Sequence, residues 1–128
     1  MIRINRLDHL VLTVKDLERT CDFYNQVLGF EVVTFGENRT ALVFGTQKIN
    51  LHKHGEEFEP KAARATPGSA DICLITTTPL VNVLEKLDQL GIGVEEGIVP
   101  RTGATGNISS VYIRDPDENL IEISKYDK

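Results

Sequence analysis

The chain has 128 residues, 41% of them apolar, and a formal charge of −5. That length suits one domain with a real core, and the acidic balance excludes nucleic-acid binding and attraction to anionic membranes. No apolar run reaches the roughly 18 residues of a membrane span, and the start "MIRINRLDHL" has no signal-peptide pattern. Only Cys21 and Cys73 are present, both inside apolar-periodic segments. They are read as reduced core thiols, which points to a cytoplasmic protein.

"RLDHLVLTV" (residues 6–14) alternates as a strand does. Leu10, Leu12 and Val14 share one face, and His9, Val11 and Thr13 the other. "DLERTCDFYNQVLG" then shows helical spacing, with Leu17, Cys21, Tyr24 and Leu28 three or four apart. Asp16 is the expected N-cap, and Gly29 suits the position beyond the last turn. Phe23, Tyr24 and Leu28 are expected in the core. "FEVVTF", "TALVFG" and "KINLHKH" read as three strands separated by the turn signals "GENR" and "GTQ".

"GEEFEPKAARATPG" (residues 55–68) is charged and aperiodic, and reads as a linker. The order then repeats. "SADICLIT" is a strand, "PLVNVLEKLDQLG" a helix with Pro79 near its start and Gly91 at its end, and "IGVEEGIV" a strand. "PRTGATGN" is expected to be a flexible Gly-rich loop, and "ISSVYIRD" and "NLIEISKY" close the chain as strands.

The two halves align. "DHLVLTV" lies over "ADICLIT", and at the same offset Leu28 and Gly29 fall on Leu90 and Gly91. The last strands align at a different offset, with Asn50 over Glu122 and His52 over Ser124. The expected fold is therefore α+β, two βαβββ modules forming a cupped mixed β-sheet. Module 1 spans about 5–54, the linker 55–68 and module 2 about 69–126. In each module one sheet face must pack on a helix and be apolar. Ile49, Leu51, Ile72, Leu74, Ile121 and Ile123 take that face. His9, Asn50, His52, Asp71, Cys73, Glu122 and Ser124 are left on the other, concave face. A carboxylate there costs several kcal/mol if it is dry and unpaired, so Glu122 wants water, a cation or a metal. His9 and Asp71 are equivalent in the repeat, as are Asn50 and Glu122. Such nitrogen and oxygen donors suit Zn²⁺, Mn²⁺, Fe²⁺ or Ni²⁺.

"LDHLVLTVKDLERTCDFYNQVLGFEV" and "VYIRDPDENLIEI" resemble the vicinal oxygen chelate superfamily of glyoxalase I, fosfomycin-resistance enzymes, extradiol dioxygenases and bleomycin-resistance proteins. "KINLHKHGEEFEPKA", "PGSADICLIT" and "VPRTGATG" look more narrowly like glyoxalase-domain proteins of the glyoxalase-domain-containing-protein-5 type. The resemblance covers almost the whole chain. It implies a divalent metal held by His9 and Glu122. Asp71 stands where several branches have a third ligand, a histidine, and Asn50 where glyoxalase I has a glutamate. His52, two residues after Asn50 on the same face, offers a second imidazole. The resemblance also implies a small-molecule substrate that chelates the metal, a hydrogen bond to it from Tyr112, and homodimers with sites built from modules of both chains. Asn50 is a candidate substrate contact. Arg101, on the Gly-rich loop, is a candidate for an anionic substrate.

Three functions follow: a metal-dependent lyase or isomerase of glyoxalase type, with Glu122 or Asp71 moving the proton; an Fe²⁺-dependent dioxygenase; and a metal-free binding protein of the bleomycin-resistance kind. Each residue also has a plainer alternative. These are a solvated histidine for His9, a paired strand carboxylate for Glu122, a backbone-bonded aspartate for Asp71, a polar edge position for His52 and a packed aromatic for Tyr112.

Overall fold

A computed structural model describes residues 1–128. The chain forms two compact units, Met1–Pro67 and Gly68–Lys128. The first contains β1 (His9–Val14), α1 (Leu17–Leu28), β2 (Glu31–Phe35), β3 (Arg39–Phe44) and β4 (Gln47–Lys53). The second contains β5 (Asp71–Ile75), α2 (Leu80–Gln89), β6 (Glu96–Thr102), β7 (Asn107–Arg114) and β8 (Leu120–Tyr126). Both are βαβββ modules with a four-stranded mixed sheet, ordered β1-β4-β3-β2 and β5-β8-β7-β6. This is the expected α+β, glyoxalase-like fold. Neither helix is long and apolar enough to cross a membrane.

In each module the first and last strands lie side by side and parallel. His9 faces Lys48 and Val11 faces Asn50, while Asp71 faces Leu120 and Cys73 faces Glu122. The two offsets read in the sequence carry one register onto the other, so the duplication extends to individual strand pairs. Residues facing each other in register share a sheet face, and neighbours along a strand alternate.

The helix-side face is the apolar one. In module 1 it buries Leu12, Val14, Leu42, Ile49 and Leu51. α1 contacts β2, β3 and β4 there. Its N-cap Asp16 accepts a bond from the Arg19 N–H at 3.0 Å, and Gly29, at φ 70°, ends it in the left-handed region that favours glycine. Tyr24 is fully buried, while Phe23 and Leu28 are only half-buried and so lie at the margin of the core. Tyr24, Phe30 and Phe44 stack in sequence, at 5.6 and 4.3 Å between centroids. In module 2, Val111, Ile113, Ile121 and Ile123 are buried on the helix side together with Leu80 and Leu87 of α2.

Four expectations change. The first strand starts at His9, so residues 6–8 precede it. Cys73 is exposed on the face away from the helix, because it alternates with the helix-side Ile72 and Leu74; it is not a core thiol. Cys21 is half-buried, and neither cysteine is in a disulfide. Pro100, Arg101 and Thr102 belong to β6, paired with Ser109, Ile108 and Asn107. The loop shrinks to residues 103–106. It is closed by the Gly103 N–H to the Gly106 carbonyl at 2.8 Å and tied by the Thr105 N–H to Tyr126 Oη at 3.3 Å.

The Asp115-Pro116-Asp117 turn before β8 locks module 2. Asp115, buried, accepts the N–H groups of Asp117 and Asn119 on Oδ1 at 2.9 and 3.0 Å. Asn119, buried as well, donates to Asp115 Oδ2 at 2.8 Å and accepts the Ala70 N–H at 2.8 Å. The turn thus fixes where β5 begins against β8. Gly68 passes so close that a Cβ would lie 2.5 Å from the Asp117 carbonyl oxygen. Asn119→Ala strands the Ala70 N–H and one Asp115 oxygen, each unmet buried group costing about 1–3 kcal/mol. We expect a stability loss of about 2–4 kcal/mol in urea unfolding; a loss near zero would contradict the account.

Candidate functional site

Every residue singled out in the sequence lies on a sheet face turned away from its helix. On module 2 these are Asp71, Glu122, Tyr112 and Arg101. Tyr112 sits directly opposite Glu122 on β7, and Asp71 lies two residues along β5 from Cys73, the neighbour of Glu122. Glu122 is half-buried. Ser110 Oγ donates to its Oε2 at 2.6 Å and Ser124 Oγ to the same oxygen at 3.3 Å. The two hydroxyls also meet each other at 2.6 Å, and Cys73 Sγ lies 3.3 Å from Ser124 Oγ. A carboxylate can sit in this Ile-rich strand because two flanking serines solvate one oxygen. Oε1 is left for something else. Partial desolvation by its neighbours raises the Cys73 thiol pKa, and the nearby carboxylates of Glu122 and Asp71 act the same way, so it stays a thiol and not an anion beside Glu122.

Arg101 is held by Tyr112. Its Nε donates to Tyr112 Oη at 2.8 Å, and Nη2 lies 3.4 Å from Glu96 Oε1. The Tyr112 hydroxyl is therefore an acceptor toward Arg101 and still has its own proton to give. Arg101 is fixed on a strand with a tyrosine and a carboxylate, where a flexible loop was expected. β6 is easily misread because Pro100 and Gly103 signal a turn, yet Pro100 lies near the end of an edge strand, where a missing N–H is tolerated.

On module 1 the face carries His9, Lys48, Asn50 and His52. His9 is partly exposed and its Nδ1 lies 2.8 Å from Asp8 Oδ2. That hydrogen bond to His9 depresses the Asp8 carboxyl pKa, and it engages Nδ1 of His9, leaving Nε2 as the other ring nitrogen. His52 is 7% exposed, packed edge-on against Phe58 at 5.5 Å. Burial, followed by the nearby Arg39 charge, lowers its pKa below the ordinary histidine value. His52 is level with Thr13, four residues beyond His9. At roughly 3.3 Å per residue the two backbones are about 13 Å apart along the sheet. Phe58 was missed in the sequence because the stretch 55–68 has no period, and Arg39 because it reads as part of the turn signal "GENR". It contains no helix or strand, yet Phe58 folds back onto the sheet.

Residues 6–123 match the Glyoxalase/Bleomycin resistance protein/Dioxygenase superfamily. The chain belongs to that superfamily. It is 63% identical over 123 residues to virulence protein STM3117 of Salmonella typhimurium, covering 96% of this chain and 85% of that protein. The crystal structure of STM3117 superimposes with a TM-score of 0.97, covering 98% of this chain and all of that one. Glyoxalase domain-containing protein RDO1 of Mycosarcoma maydis is 52% identical over 125 residues, 98% of this chain and 70% of its own length.

Members of this superfamily often bind metals, which makes the fit of the donors the next question. Metal-ligating histidines usually give their second ring nitrogen to a carboxylate, and ligating carboxylates are themselves hydrogen-bonded. His9 with Asp8 and Glu122 with Ser110 and Ser124 each meet that description. As donors these two fit a divalent ion such as Zn²⁺ or Mn²⁺. No group of three or more His, Cys, Asp or Glu side chains able to hold a metal ion lies together in the chain.

The His52 environment gives a pH test. Because its folded pKa is depressed, the unfolded chain takes up its proton first. Stability is full above the unfolded value near 6.5 and is lost as pH falls through it toward the folded value. NMR titration of the His52 ring should give a midpoint below 6.5; one at or above 6.5 would contradict the burial described here.

Proposed function

We propose that this chain is a metal-dependent enzyme of glyoxalase type, acting as a lyase or isomerase on a small oxygen-rich substrate that chelates the ion. His9 and Glu122 supply the protein ligands, in a homodimeric cytoplasmic protein of the glyoxalase-domain-containing-protein-5 kind. One observation carries the reading: Glu122, on the sheet face away from the helix, has Oε2 bonded to two serine hydroxyls. A bound divalent ion supplies Lewis acidity, which favours charge on a substrate oxygen.

The chain's own residues supply the rest. The Ser110 and Ser124 hydroxyls hold Glu122 in place. Asp71, exposed and on the same face, is the carboxylate free to take or return a proton. The Tyr112 hydroxyl, polarised by Arg101, donates to a substrate oxygen, and the Arg101 charge favours an anionic substrate.

A second reading has its own support. No three ligating side chains gather within the chain, which favours a metal-free small-molecule binder. Metal analysis decides between them. Protein purified without chelator should contain close to one divalent ion per chain, and His9→Ala and Glu122→Gln should each lower it at least tenfold while keeping the fold by circular dichroism. Metal absent from the parent protein, or unchanged in both variants, would overturn the enzyme reading.

A further inference from the structure

The duplication places Asn50 of module 1 where module 2 has Glu122, and the surroundings of the two differ in sign. Ala41 faces Asn50 as Tyr112 faces Glu122. Two residues before Ala41 stands Arg39, in the place of Ser110, and two residues after Asn50 stands His52, in the place of Ser124. The set Ser110, Glu122 and Ser124 is a carboxylate with two hydroxyl donors. The set Arg39, Asn50 and His52 is an amide between a cation and an imidazole.

The amide is unfinished. Asn50 Oδ1 is buried and has no hydrogen-bond partner. Its cross-strand neighbours, Val11 and Ala41, have no polar side-chain atoms. Leaving such an oxygen unmet is costly, and a native sheet accepts it where a ligand supplies the missing donor. The cations are unfinished as well. The Arg39 guanidinium lies 4.4 Å from the centre of the Phe58 ring, and Lys48 Nζ lies 4.0 Å from the centre of the Phe35 ring. Each is steadied by an aromatic face, and neither is in an ion pair. His52, neutral because it is buried beside Arg39, keeps one ring N–H to donate.

We propose that the open face of module 1 binds a small hydroxylated carboxylate, its carboxylate on the Arg39 guanidinium and its hydroxyl donating to Asn50 Oδ1. An arginine fork matches a planar carboxylate in two parallel bonds. A hydroxyl both gives the proton that Asn50 lacks and accepts the one that His52 offers. Lys48, at the other end of the same face, adds attraction for an anion. This is a separate ligand site on module 1, and it rests on the reading above only in so far as the chain takes a small oxygen-rich ligand. The metal plays no part in it.

Racemic malate, with succinate as the analogue lacking the hydroxyl, is titrated into the full chain as purified and followed by NMR of the Asn side-chain amides and Arg Nε–H groups. We expect malate to shift the Asn50 and Arg39 signals and to bind about fivefold more tightly than succinate, the equivalent of one neutral hydrogen bond of about 1 kcal/mol. Arg39→Gln should weaken both ligands at least tenfold, Arg39→Lys should weaken them less, and Asn50→Ala should abolish the preference for malate. Malate binding should be unchanged after the protein has been stripped of metal with EDTA, which separates this proposal from the metal reading. Absence of malate binding, equal binding of malate and succinate, or unchanged binding in Arg39→Gln would overturn it. Should Arg39→Gln fail to fold, the malate-to-succinate ratio in the parent and in Asn50→Ala decides.

Discussion

The structure depends on one pairing: in each module the first and last strands lie parallel and adjacent, in registers that the duplication maps onto each other. With that register fixed, strand alternation sorts every side chain. Ile121 and Ile123 go to the helix and to the core; Glu122 between them cannot. A one-residue slip would bury the carboxylate against the helix and expose the isoleucines, so the register is held by burial itself. In module 2 it is held a second time, by the Asn119 and Asp115 bonds that fix the entry into β5 and β8.

Much of this was legible in the sequence. Periodicity separates the helices from the strands, and Asp16 and Gly29 mark the ends of α1 as capping chemistry requires. The repeat offsets fix the equivalences of His9 with Asp71 and Asn50 with Glu122. What was not legible lies where local signals conflict with tertiary context. Pro100 and Gly103 punctuate β6, so Arg101 read as part of a mobile loop, although a tyrosine and a carboxylate hold it on a strand. The segment after β4 has no period, so the packing of Phe58 on His52 and Arg39 was invisible. Ser110 and Ser124, which make Glu122 tolerable, are small polar residues with no pattern of their own.

The two open faces are chemically complementary. Module 2 offers a solvated carboxylate with a second carboxylate nearby, and module 1 offers cations and an amide that lacks a donor. Divergence at matched positions has left a carboxylate on one face and an amide beside cations on the other, with the apolar helix-side packing left alone. Superfamily membership fixes the fold and leaves the chemistry to these polar positions. On module 2 those positions centre on Glu122, whose Oε2 is bonded to Ser110 and Ser124.

The most direct measurement is anomalous diffraction at the manganese edge from crystals grown with Mn²⁺. The account predicts a peak about 2.0–2.2 Å from an oxygen of Glu122, a normal carboxylate–metal distance. A well-occupied peak elsewhere, or none with Glu122 ordered and bonded to its serines, would contradict it.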